Sequence, residues 1–176
     1  LYGASKKATE LMSQSYAHLF RLPLTGLRFF TVYGPWGRPD MAAYLLADRI
    51  LQGEPIPVFN RGEMKRDFTF IDDIVAGVLA ALDRPPADGG AAAPPHRVYN
   101  LGNHRSEKLL RFIAILEQEL GVKAKLDLQP MQPGDVPETY ADISASERDL
   151  GFKPAVPIDV GIPRFVKWYK EYHRPG

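Results

Sequence analysis

Thr25-Gly26-Leu27-Arg28-Phe29-Phe30-Thr31-Val32 is apolar and rich in β-forming residues, and its apolar positions do not alternate with polar ones. A strand with one solvated face alternates; a strand buried on both faces of a parallel sheet reads as a continuous run. The stretch therefore predicts a parallel-sheet strand. Upstream, Ala4, Ala8, Leu11, Met12, Ser15, Tyr16 and Leu19 recur at helical spacing until Pro23, which predicts a helix over 4–20 with Tyr2 and Lys6 at its N-terminal end. Downstream, Gly34-Pro35-Trp36-Gly37-Arg38-Pro39-Asp40 reads as a loop leading into a helix over 41–52.

The same alternation continues. Strands are predicted at 56–59, 67–71 and 98–101, with an edge strand at 125–128. Helices are predicted from a cap at Asp72-Asp73 to about Leu82, over 107–120 with Gly121 as the stop, and over 144–150 and 158–172. Residues 84–96 are rich in Pro, Ala and Gly and read as a mobile surface loop. Strands alternating with helices give an α/β fold.

The 176 residues are 45% hydrophobic and 24% charged, enough to bury a core. Lys and Arg total 22 against 21 acidic residues, so a net charge of +1 gives no electrostatic case for nucleic acid or a membrane surface. There are no cysteines, which excludes disulfides, thiolate metal ligands and a Cys nucleophile. His18, His96, His104 and His173 share no ligand spacing with Asp or Glu, so no metal site is expected. With no long apolar run and no signal-like opening, the expected address is cytoplasmic.

Tyr2 and Lys6 stand four residues apart, one turn on one helix face. A phenol titrates near ~10, and a neighbouring cation favours its phenolate, so such a pair can take a proton from a sugar or alcohol hydroxyl. A solvated helix face would carry the same two residues. No G-x-G-x-x-G occurs in the sequence, although a dinucleotide-binding sheet needs such a turn. The chain opens on Leu1 rather than Met, which suggests a piece of a longer one whose cofactor-binding half is absent.

Five ordered blocks carry a resemblance: Tyr2-Gly3-Ala4-Ser5-Lys6, Leu27 to Met41, Lys65 to Asp73, Tyr99-Asn100-Leu101-Gly102, and Pro133 to Asp142. Together they resemble the C-terminal portion of the extended short-chain dehydrogenase/reductases. Within that superfamily they look most like the UDP-glucuronate 4-epimerases. The resemblance implies the end of a Rossmann-type parallel sheet over 1–33 and a mainly nucleotide-sugar-binding α/β portion over 34–176, with some segments returning to the sheet. It implies NAD as cofactor, a UDP-sugar as substrate, a homodimer, and 4-epimerisation of UDP-glucuronate to UDP-galacturonate through a 4-keto sugar. A 4,6-dehydratase or decarboxylase of the same superfamily, or a non-catalytic nucleotide-sugar-binding piece, are the alternatives.

Residue by residue, the resemblance makes Tyr2 the proton acceptor and Lys6 its partner on the nicotinamide ribose. Phe29 and Phe30 pack in the core on one side and reach the nicotinamide on the other. Thr31 falls at the sugar C4–C6 region and Arg38 toward the sugar carboxylate, for which a planar guanidinium is suited. Val58, Phe59 and Asn60 match the segment that receives uracil, and Arg66 matches an arginine on the diphosphate. Asp135 matches an acidic residue on the ribose hydroxyls, while Gln132 stands where galactose epimerases often have arginine. A surface pair between Arg66 and Asp67, a strand-ending role for Thr31 and an exposed loop for Arg38 are the structural readings of the same residues.

Overall fold

A computed structural model describes Leu1–His173. Its elements are α1 (Tyr2–Phe20), β1 (Leu24–Phe29), β2 (Thr31–Tyr33), α2 (Ala42–Gln52), β3 (Pro55–Val58), β4 (Lys65–Arg66), β5 (Phe68–Phe70), α3 (Ile71–Asp83), β6 (His96–Leu101), β7 (Glu107–Lys108), α4 (Leu109–Leu120), β8 (Lys125–Leu128), α5 (Ser144–Leu150) and α6 (Ile158–Tyr172). Three strand pairs, β1 with β6, β2 with β5 and β3 with β8, are parallel; β4 with β7 is antiparallel. The fold is α/β, as the sequence pattern predicts.

The chain divides into two compact units. The first comprises 1–29, 75–101 and 142–153, and the second comprises 30–74, 102–141 and the described residues from 154 on. In the first, α1 packs on β1 and β6, and Leu24 to Phe29 runs in register with His96 to Leu101. Ala17 alone of α1 is buried, whereas Leu11, Met12, Tyr16, Leu19 and Phe20 are exposed. Arg21, in the left-handed region at φ 54°, ends the helix and binds Asp88 and the Gly90 carbonyl, which ties the Pro- and Ala-rich segment to it.

The second unit holds the large core. Tyr33, Phe68, Phe70 and Phe112 meet edge to face or stacked, and α2, α4 and α6 add Ile50, Leu116, Ile162, Phe165 and others around them. This core rests on the aliphatic and aromatic faces of three amphipathic helices, each of which buries one stripe.

Several expectations are corrected. The predicted strand over 25–32 is two strands, because β1 pairs with β6 while β2 pairs with β5, and the break falls at Phe30. Nor is β1 buried on both faces: all six of its residues are half-buried or exposed, with β6 as its one strand partner among the described residues. The helix predicted from Glu107 starts at Leu109, since Glu107 and Lys108 pair with Arg66 and Lys65. Asp72 and Asp73 do not cap α3 but lie in its first turn. There the Asp73 carboxylate accepts from the Ala155 and Val156 amides at 3.0 Å each, and Asp72 accepts from Arg164 at 2.6 Å.

Candidate active site

In the first unit, the face of α1 bearing Tyr2, Lys6 and Glu10 lines an open groove of about 840 Å³ with Ser13 and residues 24–29 of β1. The Lys6 ammonium lies over the Tyr2 ring, 5.3 Å from its centroid. The Tyr2 carbonyl accepts a hydrogen bond from Ser5 Oγ at 2.7 Å, which fixes the first turn. Among the described residues Lys6 forms no ion pair, although Glu10 sits at the i+4 position. Glu10 instead accepts from Arg28 Nε at 2.5 Å and Arg28 Nη2 at 2.7 Å, and pairs with Lys7 at 3.0 Å. Hydrogen bonds from Arg28 and then Lys7 lower its carboxyl to a pKa of about 2.

Phe29, at the end of β1, is 51% exposed, which corrects the expectation that it packs in a core. The reason is the register: β1 ends there, and the chain crosses to the second unit at Phe30, which is half-buried.

In the second unit Thr31 opens β2, opposite Phe68, and its amide donates to the Asp67 carbonyl at 3.1 Å. The loop that follows is shaped by Gly34, at φ 142°, where a Cβ would lie 2.5 Å from Ile71 Cγ2. Trp36, at φ 62°, lays its indole against Trp168 and Tyr172 of α6, with ring centroids 5.5 Å away in each case. Arg38 lies two residues on, fully in solvent reach, and presents Nε and Nη2 to the two carboxylate oxygens of Asp40 at 3.0 and 2.8 Å. The guanidinium edge is thus already in the geometry that grips a carboxylate with both donors.

Arg66, on β4, donates to the Asp135 carboxylate at 2.9 Å and to the Val136 carbonyl at 2.9 Å. The structure joins these two predicted residues and removes the alternative of an Arg66–Asp67 surface pair. Asp67 is completely buried and points the other way: Oδ1 accepts from the Asn103 amide at 2.6 Å and Thr69 Oγ1 at 3.1 Å, and Oδ2 from the Ala141 amide at 3.0 Å. Gly102 permits this closeness, because a Cβ there would run into Ala141 and lie 3.1 Å from Asp67 Oδ2. Val58 is fully buried in the core cluster, and its carbonyl accepts from the Gln129 amide at 2.9 Å. Phe59 and Asn60 are half-buried, and Asn60, Arg61 and Gly62 form a tight turn with φ of 49°, 50° and 88°.

Sequence reasoning missed the Arg28–Glu10 bridge, the buried Asp67 and the Trp36 contact. The first had a signal, since Glu10 continues the Tyr2, Lys6 series at spacing four. The other two depend on pairing across distant segments and had none. Among the described residues, no group of three or more His, Asp or Glu could hold a metal, and no helix is long and apolar enough to cross a membrane.

These features match known proteins. Residues 1–102 match the model of the NAD dependent epimerase/dehydratase family. Protein CapI of Staphylococcus aureus is 45% identical over 99% of this chain and 55% of its own length. A probable UDP-glucuronate 4-epimerase of Rhizobium meliloti is 44% identical over 99% of this chain and 54% of its own. The crystal structure of UDP-glucuronic acid 4-epimerase from Bacillus cereus, in complex with UDP-glucuronic acid and NAD, superposes with a TM-score of 0.84 at 33% identity, over 98% of this chain and 53% of that one. The chain spans about half the length of the curated relatives it matches. With the parallel strand pairs, the Tyr2–Lys6 helix and a family model covering more than half of the residues, the chain belongs to the NAD dependent epimerase/dehydratase family.

Proposed function

We propose that the protein carrying this chain is an NAD-dependent 4-epimerase that interconverts UDP-glucuronate and UDP-galacturonate. The observation that carries the reading is the Tyr2–Lys6 pair, one helical turn apart on an open groove, with an ammonium that has no carboxylate partner among the described residues. The relatives named UDP-glucuronate 4-epimerases support the sugar, and the similar enzyme solved with NAD supports the cofactor.

The residues fit that cofactor. An ammonium with no ion pair among the described residues can donate to ribose hydroxyls, and the exposed ring of Phe29 offers an apolar surface. NAD, when bound, supplies reversible two-electron oxidation at the sugar C4. Tyr2 accepts the proton of the C4 hydroxyl and returns it once the sugar has turned its other face, so the net redox change is zero. Lys6 places its ammonium beside the Tyr2 ring, where the proton is handed over.

A uronate oxidised at C4 is a β-keto acid, and it loses carbon dioxide readily when its C–COO bond stands perpendicular to the carbonyl plane. Arg38 and the Thr31 hydroxyl hold the carboxylate away from that orientation by directional hydrogen bonds. Arg66 neutralises the diphosphate, and Asp135 accepts from the uridine ribose hydroxyls. Phe59, Asn60 and the backbone at Val58 receive uracil. Residues 1–33 serve as the end of the Rossmann portion, and 34–176 mainly bind the nucleotide sugar, with some segments returning to the Rossmann sheet. The exposed apolar residues of α1 support a homodimer, and a cytoplasmic location suits a chain without cysteine.

Incubation of the purified full-length protein that carries this chain, since the 176 residues alone are expected to be inactive, with NAD and UDP-glucuronate, followed by chromatography of the nucleotide sugars, tests this. UDP-galacturonate is expected. A decarboxylated pentose or a 4,6-dehydrated sugar as the main product would replace the reading with one of its relatives.

A further inference from the structure

Lys6 and Glu10 occupy the spacing at which opposite charges on a helix normally pair. They do not pair here, because Arg28 of β1 reaches across and takes both Glu10 oxygens, at 2.5 and 2.7 Å, while Lys7 adds a third donor at 3.0 Å. The result is an ammonium that, among the described residues, has no carboxylate partner and lies over the Tyr2 ring on the groove. We propose that Arg28 is a positioning residue that withholds Glu10 from Lys6, so that the ammonium remains available to the Tyr2 phenol. The inference rests on Tyr2 and Lys6 being the proton-transfer pair.

The chemistry follows from charge placement. A carboxylate closing on Lys6 would cancel the cation and add a negative charge near the phenol, and both effects disfavour a phenolate. The charged and titratable groups of α1 and the strands packed on it are Tyr2, Lys6, Lys7 and Glu10 on the groove, Tyr16 and His18 near the far end of α1, Arg28 on β1, and His96, Arg97 and Tyr99 on β6, where Tyr99 donates to Asp149. His96 is engaged by Ser13 Oγ at 2.8 Å and Arg97 by the His96 carbonyl at 3.0 Å. Arg28 and Lys7 are the groups that act on Glu10, and their hold is reflected in its depressed carboxyl. Arg28 is hydrogen-bonded to Glu10 and to neither Tyr2 nor Lys6, and it acts through Glu10 alone.

The test uses Arg28→Met, which keeps the apolar stem and drops the cation, with Glu10→Gln and the double variant. In the pH–rate profile for UDP-glucuronate conversion, Arg28→Met should move the acid limb upward by about 0.3–0.7 of a pH unit, the range of a partly exposed ion pair. Adding Glu10→Gln should return the limb to its wild-type position, and Glu10→Gln alone should leave it there. A second readout needs neither substrate nor cofactor. The Lys6 side-chain carbon resonances should follow the titration of Glu10 between about pH 6 and 4 in Arg28→Met, where Glu10 returns toward the ordinary carboxylate range, and should stay flat in wild type. Flat Lys6 resonances in a folded Arg28→Met protein would overturn the proposal, as would a shifted limb that the double variant does not restore. If Arg28→Met does not fold, a limb displaced by Glu10→Gln alone overturns it. A protein that shows the Lys6 coupling but converts no UDP-glucuronate would retain the guard and lose the epimerase reading.

Discussion

Asp67→Asn separates a buried structural carboxylate from an ordinary acidic side chain, because the substitution keeps the shape and changes only charge and one donor. Each carboxylate oxygen of Asp67 accepts from a buried backbone amide, Asn103 on one side at 2.6 Å and Ala141 on the other at 3.0 Å. Whichever way the new amide turns, its NH2 faces one of those N–H groups, so one buried donor loses its acceptor and meets another donor. An orphaned buried donor costs about 1–3 kcal/mol, and the surviving bond loses its charge assistance, worth about 1 kcal/mol more. The sum, about 2–4 kcal/mol, corresponds to a fall in melting temperature of roughly 5–15 °C for a chain of this size. Urea titration followed by circular dichroism measures it, with the midpoint expected to fall and the slope to hold. A loss under about 0.5 kcal/mol, the range of surface substitutions, would refute the reasoning and mean that the Asn103 and Ala141 amides have other partners.

Three further outcomes are expected. Tyr33→Phe removes a buried hydroxyl that has no hydrogen-bond partner among the described residues and whose ionisation burial already opposes, and thermal unfolding should show no loss and a gain of about 1 kcal/mol. Acid unfolding should depend on Glu10: its carboxyl is lowered from 4.5 to about 2, so the bridge to Arg28 contributes fully above 4.5 and is lost as pH falls toward about 2, and Glu10→Gln should flatten stability in that window. Arg38→Ala should raise the KM for UDP-glucuronate roughly 10- to 150-fold, as a charged hydrogen bond of about 1.5–3 kcal/mol is lost, and chromatography should show a decarboxylated pentose alongside the product.

The periodic parts of this fold were legible in the sequence. The strand at 125–128 and the helices at 144–150 and 158–172 begin and end where turn residues and apolar spacing place them, and α1 carries Tyr2 and Lys6 on its first turns. What was not legible depends on partners far along the chain. The apolar run from 25 to 32 gives no hint that it changes partner strand at Phe30. Glu107 reads as helical until Arg66 is known to lie opposite it. Asp67 follows an arginine and reads as half of a surface pair, yet its acceptors meet backbone amides 36 and 74 residues away. Chemistry-bearing types were visible, whereas the hydrogen bonds that orient them were not.

Tyr2→Phe tests the central claim most directly, because it removes one hydroxyl from an exposed helix terminus and leaves the nucleotide-sugar residues untouched. In the protein carrying this chain, supplied with NAD, conversion of UDP-glucuronate should fall by at least about 100-fold in kcat, the scale of positioned acid–base catalysis, while UDP-glucuronate binding by calorimetry stays within a factor of about two. Conversion at close to the wild-type rate would contradict the account and take proton transfer away from Tyr2.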